Sequence, residues 1–262
     1  YIVIMQGGFF NMKVFIINRK KLMIMVGCII TAVVSCLISL QSNVFMAKER
    51  KLPIYCVDRQ DKVVSISFDA AWGNEQTQTL IDILASKEVK ATFFLVGFWA
   101  EKYPESVKAI AAAGHDVGNH SDTHPHLPKL EKEKVLAQIE DCNKKIEAAG
   151  APRPTLFRPP YGDYNNCVVE STNELKMHCI QWDVDSLDWK DPTPDDMVKR
   201  IKSKIKPGSI ILMHNGAKNT PEALPKIIDT IKGEGYKIIP ISEIIYKENY
   251  SMDSQGKQMC NQ

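Results

Sequence analysis

The sequence predicts an α/β fold in which about seven parallel strands form a closed or nearly closed barrel behind an N-terminal apolar segment. Short apolar runs rich in β-branched residues recur along the chain, and segments with helical apolar periodicity separate them. Strands that alternate with helices favour a parallel sheet covered by helices. An open doubly wound sheet is the alternative fold. Its dinucleotide-binding form is disfavoured because no G-x-G-x-x-G motif follows the first strand.

The N-terminal segment predicts a membrane anchor. Residues 22–40 are apolar apart from small polar side chains, and a spanning helix needs about 20 such residues. Residues 1–21 carry four basic residues and no acid, which indicates a cytoplasmic n-region, although basic residues also follow the apolar run. A cleaved signal peptide is the alternative, but the residues before Ala47 match a cleavage site poorly, so we favour an uncleaved anchor. Because the chain begins with Tyr1, the sequence leaves open whether residues 1–11 are an artefact of the assigned start site.

The remaining chain divides into a linker, one folded domain and a tail. Residues 41–60 are polar and basic, which is typical of a linker. Residues 61–246 contain the strand–helix alternation, and residues 247–262 are polar and predicted to be loose. The predicted strands are 63–68, 91–96, 115–118, 156–158, 178–184, 209–213 and 236–240.

Charge and cysteine usage exclude some classes of function. The chain has 33 basic and 31 acidic residues, which is not the electrostatic footprint of a nucleic-acid-binding protein. Five of the seven cysteines lie outside the apolar run, and no C-x-x-C pair occurs. We therefore predict neither a disulfide framework nor a cysteine-based zinc site, and one unassigned disulfide remains open. The sequence does not predict an oligomeric state.

Side chains that could carry chemistry follow five of the predicted strands. In a parallel barrel, functional residues lie at the carboxyl ends of the strands, which meet at one rim. Each of these residues, taken alone, is more often a turn, cap or packing residue. Their coincidence at one rim favours a catalytic site. They are Asp69, the segment from Asn119 to His124, the segment from Arg158 to Gly162, the segment from Trp182 to Trp189, and His214 with Asn215.

Taken in order, these segments resemble the five motifs of the NodB-homology polysaccharide deacetylases, a carbohydrate esterase family. The resemblance covers about residues 63–245 and implies a distorted (β/α) barrel. It also implies a hydrolase that removes N-acetyl groups from amino sugars of a cell-wall polysaccharide such as peptidoglycan. The matching segments read Ser67-Phe68-Asp69, His120-Ser121-Asp122-Thr123-His124, Arg158-Pro159-Pro160-Tyr161-Gly162, Asp185-Ser186-Leu187-Asp188-Trp189 and Leu212-Met213-His214.

The resemblance assigns an acid and a base for amide hydrolysis. It makes Asp69 the general base, which Arg158 would keep ionised. It makes His214 the general acid for the departing amine. The imidazolium needs a carboxylate partner, and we select Asp185 from the fourth motif. The backbone N–H of Tyr161 would add a donor to the oxyanion hole.

The resemblance also assigns a metal and a substrate slot. His120 and His124 would hold a divalent metal, and neutral imidazoles suit zinc or a similar transition ion. Leu212 and Trp189 would form an apolar slot for the acetyl methyl group. No organic cofactor is implied.

One position departs from the family pattern. Most members have a second Asp directly after the base, as a metal ligand, whereas this chain has Ala70. Asn119 and Asp122 are nearby oxygen donors that the sequence cannot place. The segment Phe68-Asp69-Ala70-Ala71-Trp72-Gly73 has the form Phe-Asp-x-x-Trp-Gly, which resembles the first motif of the branch of this family associated with sporulation.

Two further readings compete with a membrane-tethered peptidoglycan deacetylase. A wall-binding protein that keeps the fold without turnover is supported by Ala70 and opposed by the intact acid and base. A phosphate-handling barrel lacks a glycine-rich phosphate loop.

Overall fold

The computed structural model describes residues 2–6, 13–45 and 49–261, which divide into two compact units at Glu49 and Arg50. The first unit contains the antiparallel strands β1 (Ile2–Gln6) and β2 (Lys13–Ile17). They are followed by helix α1 (Arg19–Phe45), which includes the predicted apolar run. Its segment Arg19–Leu37 is long and apolar enough to cross a membrane, a test that a signal sequence also passes. Ala47, the position weighed for signal cleavage, lies outside the described residues.

The second unit is built on a sheet of eight parallel strands. A continuous path of seven strands runs from β8 at one edge to β9 at the other, in the order β8-β7-β6-β5-β4-β10-β9, and β11 pairs with the start of β4. The fold is therefore a half-barrel, which confirms the predicted distorted barrel of about seven parallel strands, with its two edge strands β8 and β9 unpaired with each other. The strands are β4 (Val63–Ala70), β5 (Thr92–Leu95), β6 (Asp116–Asn119), β7 (Leu156–Phe157), β8 (His178–Cys179), β9 (Val184–Asp185), β10 (Ile210–His214) and β11 (Lys237–Ile238).

Helices connect and cover the strands. Their apolar faces pack on one side of the sheet, in a core that includes Leu80, Ile110 and Ile227. The helices are α2 (Thr77–Ser86), α3 (Gly97–Lys102), α4 (Pro104–Ala112), α5 (Lys132–Ala148), α6 (Asn166–Glu174), α7 (Pro194–Lys202), α8 (Thr220–Gly233) and α9 (Ile241–Ile244). Short 3-10 helices occur at Leu127–Lys129, Pro160–Gly162 and Asp188–Lys190.

The alternation of side chains along β4 decides what faces the barrel interior. Val64, Ile66, Phe68 and Ala70 belong to the helix-facing core. The intervening side chains point the other way, because successive residues of a strand face opposite sides of the sheet. Asp69 is one of them, so strand geometry places Asp69 and Ala70 on opposite faces.

The predicted strand 178–184 is wrong as a single element. Its two ends are β8 and β9, which lie at opposite edges of the half-barrel. Between them the chain crosses the opening of the barrel. There the carboxylate of Asp183 accepts hydrogen bonds from the Ser209 hydroxyl at 2.9 Å and from the Ile210 N–H at 2.9 Å. The sequence predicts one strand here because the buried side chain of Ile180 continues the apolar pattern through the crossing.

The predicted linker and loose tail are wrong in part, because both contribute to the domain. Strand β3 (Cys56–Val57) pairs with β13 (Lys257–Cys260), which pairs with β12 (Tyr250–Met252). Ile54 forms a bridge with Ile180, so this segment lies across the opening of the half-barrel. The polar composition of the tail conceals its burial, since the Gln258 side chain is fully buried and bonded to the backbone of Tyr246.

Candidate active site

A cleft of about 800 Å³ opens at the carboxyl ends of the strands. It brings together eight of the nine predicted site residues, and the ninth, Arg158, is fully buried beside Asp69. The residues lining the cleft are Asp69, Ala71, Trp72, His120, His124, Tyr161, Trp182, Asp185, Trp189, Asp191, Leu212, His214, Asn215, Gly216, Ala217 and Lys218.

Asp69 and Arg158 form a buried ion pair at the base of the cleft. Nη1 of Arg158 donates to Oδ1 of Asp69 at 2.7 Å. Nη2 donates to the hydroxyl of Ser67 at 2.8 Å and to the carbonyl of Gln181 at 3.2 Å. The guanidinium also lies 4.1 Å from the ring centre of Phe94. These contacts fix the guanidinium and leave Oδ2 of Asp69 facing the cleft residues.

The charges around Asp69 keep it ionised. Burial alone would raise the pKa of its carboxyl, but the nearby charge of Arg158, with smaller effects from His120 and His214, lowers that pKa below 3.8. An ionised carboxylate at the floor of a cleft can accept a proton from a water molecule. The geometry therefore suits the general-base role.

His214 has a different carboxylate partner from the predicted one. Its Nδ1 lies 2.8 Å from Oδ1 of Asp188, and its backbone N–H donates to Oδ2 of the same residue at 2.7 Å. The Thr220 hydroxyl donates to Oδ2 as well. Asp185 lines the cleft, but its Oδ1 accepts the N–H of Leu187 at 2.7 Å. The assignment of Asp185 as partner is thus corrected to Asp188.

Asp188 favours the charged form of His214. Burial would lower the pKa of the imidazole, but the hydrogen bond and charge of Asp188 raise it above 6.5, with smaller contributions from Asp69 and Asp185. The cleft therefore holds a carboxylate whose pKa is lowered and an imidazole whose pKa is raised. That is the pair that acid–base catalysis of amide hydrolysis requires.

The two motif histidines lie side by side as neutral rings. Their ring centres are 4.9 Å apart. Nδ1 of His120 is 2.7 Å from the carbonyl of Arg158, so that nitrogen carries the proton and Nε2 faces Oδ2 of Asp69 at 3.5 Å. Burial lowers the pKa of His120, and it lowers that of His124 to about 4. Nδ1 of His124 is buried without a hydrogen-bond partner.

Tyr161 occupies a strained turn above the histidines. Its φ of 60° lies in the left-handed region, which typically costs about 1–3 kcal/mol for a residue other than glycine. Its ring meets His124 edge-on at 4.5 Å and stacks on His126 at 4.3 Å. The imidazole of His126 is in turn 3.0 Å from the carboxylate of Asp163. The turn is therefore held in one conformation at the edge of the cleft.

Leu212 and Trp189 are both in the cleft, as predicted. Leu212 is almost completely buried, whereas Trp189 is exposed at the rim. The apolar slot assigned to this pair remains a prediction.

Comparison with known proteins identifies the family of this chain. Residues 57–180 match the sequence profile described as polysaccharide deacetylase. Over 194 residues the chain is 31% identical to a peptidoglycan-N-acetylglucosamine deacetylase of Bacillus cereus, covering 72% of this chain and 91% of that protein. The chain belongs to the polysaccharide deacetylase family.

Other members of the family differ in length and in reported activity. The chain is 36% identical to an uncharacterized protein of Bacillus subtilis, YlxY, over 74% of this chain. It is 35% identical to the peptidoglycan-N-acetylmuramic acid deacetylase PdaC of the same organism, over 72% of this chain. The chain spans 60% of the length of the first and 40% of the second.

Two similar solved structures are of a CE4 family pseudoenzyme. The wild-type protein, from Bacillus anthracis, matches at 36% identity with a TM-score of 0.72, covering 80% of this chain and 73% of that one. A mutant described as having restored enzymatic activity matches at 40% identity with the same TM-score, covering 74% of this chain and 71% of that one. These likenesses support the half-barrel fold.

The deacetylase metal site is incomplete in this chain. The neutral rings of His120 and His124, with one nitrogen unpaired, fit a divalent metal as ligands. A catalytic zinc usually has three protein ligands. Ala70 is fully buried in the helix-facing core, and within residues 49–261 no group of three His, Cys, Asp or Glu side chains is arranged to hold a metal.

The two other oxygen donors considered from the sequence are engaged elsewhere. Oδ1 of Asn119 accepts the N–H of Ser121, and its amide donates to Asn143. Asp122 pairs with Lys145 at 2.9 Å. Neither residue lines the cleft, so neither replaces the missing ligand.

Two residues that line the cleft, Trp72 and Lys218, and one buried behind it, Asp188, escaped the sequence-based assignment. Asp188 stands in the fourth motif three positions after Asp185, and sequence alone does not show which carboxylate turns toward His214. Trp72 comes shortly after the first motif, where the Trp-Gly pair indicates a branch of the family but no role in the site. Lys218 lies in a loop after the fifth motif and carries no motif signal.

Proposed function

We propose that the chain is a peptidoglycan N-deacetylase that hydrolyses the amide of an N-acetylated amino sugar in the bacterial cell wall. The observation that carries this proposal is that Asp69, paired with Arg158, and His214, paired with Asp188, line the same cleft. A lowered carboxyl pKa and a raised imidazole pKa provide a base and an acid at the same pH. The named activities of the B. cereus and B. subtilis relatives support the choice of peptidoglycan.

In this proposal Asp69 takes a proton from the attacking water. Arg158 keeps the carboxylate ionised and fixes its orientation through Oδ1. The N–H of Tyr161, held in its left-handed turn, donates to the oxygen of the acetyl carbonyl as negative charge develops there. His214 then gives its Nε2 proton to the departing amine, while Nδ1 stays bonded to Asp188.

The apolar groups of the cleft complete the arrangement. Leu212 and Trp189 would enclose the acetyl methyl group and exclude water from the side of the carbonyl opposite the amine. A divalent metal held by His120 and His124, with zinc as the first choice, would polarise the acetyl carbonyl when bound. With two imidazoles and no third protein ligand, we expect that metal to bind weakly.

The alternative function is a wall-binding member with weak or absent turnover. Ala70 favours it, and two structures similar to this chain are of a pseudoenzyme. The preserved acid and base oppose it, because a binding protein has no use for a buried, oriented carboxylate beside a charged imidazole.

The same proposal places the protein at the outer face of the cell membrane. Helix α1 would remain as an anchor, with the second unit outside, and the protein would be secreted if the helix were cleaved. The Phe-Asp-x-x-Trp-Gly segment suggests a role in sporulation. Membrane pelleting of the full-length chain supports the anchor, and a soluble chain cut near Ala47 would contradict it.

The activity is tested by release of free amine from peptidoglycan strands and from N-acetylglucosamine oligomers. Assays with and without added zinc separate the deacetylase from the binding protein. Release that depends on Asp69 supports the deacetylase.

A further inference from the structure

The exposed aromatic side chains of the second unit converge on one place. Trp72, Tyr161 and Trp189 are 63%, 57% and 55% exposed, and all three line the cleft. Among residues 49–261, the only other exposed large hydrophobic side chain is that of Met259. Contiguous exposed apolar surface usually marks a place where a ligand binds. Tyr161 and Trp189 already have proposed roles around the acetyl group, whereas Trp72 has none.

The turn that carries Trp72 is held rigidly from below. The carbonyl of Gly73 accepts hydrogen bonds from the indole N–H of Trp99 at 2.6 Å and from the Asn215 amide at 3.3 Å. Gly73 has a φ of +74°, and a Cβ at Gly216 would lie 2.6 Å from the carbonyl oxygen of Trp72. Glycine therefore suits the left-handed backbone at position 73 and the close backbone approach at position 216. An indole kept exposed on a fixed turn is preorganised for binding.

Trp72 lies beside the centre of the cleft. Its ring centre is 4.9 Å from that of His124, with an interplanar angle of 71°. The indole therefore lies no farther from the proposed reaction centre than the width of one sugar ring. Aromatic faces pack well against the apolar C–H face of a ring ligand while its hydroxyl groups stay in water.

Lys218 lines the cleft on the same side as Trp72. Lys218 is two residues after Gly216, which touches the Trp72 carbonyl, and it also lines the cleft. It is the only Lys or Arg among the lining residues, and within the described part of the chain it forms no ion pair. Three acids line the cleft. Asp69 is paired with Arg158, Asp185 ends β9 and accepts the N–H of Leu187, and Asp191 follows the 3-10 turn, so Lys218 is the lining cation that a ligand carboxylate can meet. A ligand with a single carboxylate would therefore place it on the Lys218 side.

We propose that Trp72 and Lys218 form a subsite for the sugar next to the reacting amino sugar, and that this sugar carries a carboxylate. The lactyl ether of N-acetylmuramic acid is such a group. This subsite rests on the proposed function, which it deepens by assigning two residues to recognition of the sugar next to the reacting one. Trp72 stacks on the ring and supplies affinity, and Lys218 pairs with the carboxylate and supplies selectivity.

The test is equilibrium binding of the full chain to two glycans of equal length. One is a neutral N-acetylglucosamine tetrasaccharide, and the other alternates N-acetylglucosamine with N-acetylmuramic acid and carries no peptide. We expect the wild type to bind the acidic glycan more tightly. Trp72→Ala should weaken both complexes by about two- to tenfold, because an exposed indole that stacks on the sugar ring is lost, and Trp72→Phe should weaken them less.

Lys218→Gln removes the positive charge of the subsite and keeps a polar side chain. It should weaken binding of the acidic glycan by about two- to fivefold, the range of an exposed ion pair, and leave the neutral glycan unchanged. It should also reduce the salt dependence of acidic-glycan binding. Lys134→Gln is the matched control, because Lys134 is an exposed lysine on α5 away from the cleft, and it should change neither affinity.

Three results overturn the subsite: a wild type that does not bind the acidic glycan more tightly, a Trp72→Ala variant with unchanged affinity, or a Lys218→Gln variant that affects both glycans equally. Amine release is measured separately on the same proteins. Release by the wild type with unchanged binding in the variants refutes the subsite alone. Absence of release, with binding that depends on Trp72 and Lys218, refutes the deacetylase proposal and supports the subsite.

Discussion

The imidazole of His214 is hydrogen-bonded to the buried carboxylate of Asp188 at 2.8 Å, across a 26-residue separation in sequence. Asp188 is fully buried and also accepts the backbone N–H of His214, so it fixes both the ring and the strand end that carries it. Asp185, at the end of β9, acts on His214 only through its charge. Asp188 is therefore a positioning residue for the proposed acid.

The first prediction concerns this pair. Asp188→Asn should lower the pKa of His214, because it removes the charge that raises that pKa above 6.5. A general acid must be protonated, so the high-pH limb of the rate profile should move to lower pH. An NMR titration of the His214 ring measures the same shift without turnover.

Asp185→Asn is the control for Asp188→Asn. It removes a carboxylate from the same cleft without removing a hydrogen bond to His214, so the shift in pKa should be clearly smaller. A larger shift in Asp185→Asn than in Asp188→Asn would contradict the pairing.

The second prediction is that Asp69→Asn destabilises the fold. Arg158 is fully buried, and the variant leaves its charge without a carboxylate. Removing one partner of a buried pair typically costs about 3–5 kcal/mol. Chemical denaturation measures the free energy of unfolding, and the double variant Asp69→Asn with Arg158→Met should recover part of the loss. An unchanged unfolding free energy in the single variant would show that the pair is not a closed ionic contact.

The third prediction concerns the missing metal ligand. Ala70 lies in the helix-facing core, so a carboxylate at this position reaches His120 and His124 only when the end of β4 turns it toward the cleft, where its neighbour Ala71 already lies. Ala70→Asp should favour that turn, because a carboxylate is costly in the apolar core, and should then bind zinc more tightly than the parent. The metal-free variant should be less stable, because the new carboxylate enters a fully buried apolar position. Zinc should then raise its melting temperature more than that of the parent.

Calorimetric titration with zinc decides the outcome of Ala70→Asp. Equal zinc affinities for the variant and the parent would mean that the loop has diverged from the family pattern. The metal role of His120 and His124 would then be abandoned.

The fourth prediction concerns the segment before β4. A chain that begins at Leu52 should fold and be soluble, whereas one that begins at Asp58 should lose at least about 3 kcal/mol of unfolding free energy. The shorter chain lacks the buried side chains of Ile54 and Val57, each worth about 1.5–3 kcal/mol. Thermal melting of the two chains measures the difference. Equal stability would mean that residues 52–57 are a linker after all.

Much of the fold was predictable because strands and helices leave strong periodic signals. The eight residues of β4 are all buried, and its apolar run was recognised almost to its bounds. The elements that escaped are short and polar. Strand β3 has two residues and β13 contains a buried glutamine, so neither has an apolar period that a sequence pattern could reveal.

The sequence motifs predicted which segments meet at the site, but not which side chain of a motif contacts which partner. Asp69, His120 and His214 each end or follow a strand, and parallel strands bring such ends together at one rim. The choice between Asp185 and Asp188 depends on a 3-10 turn, which rotates one carboxylate into the core. Side-chain direction after a strand end is set by tertiary contacts, and those are not encoded in spacing.

Whether this cleft hydrolyses N-acetyl groups is decided by measuring the free amine formed on peptidoglycan strands in the presence of zinc. We predict release by the wild type, with rates lower by about 10²–10⁴-fold in Asp69→Asn and in His214→Ala. Stability is measured in parallel, so that lost turnover is not confused with lost folding. If the wild type released no more amine than Asp69→Asn at every zinc concentration tested, the deacetylase function would be wrong and the protein would be a glycan-binding member of the family.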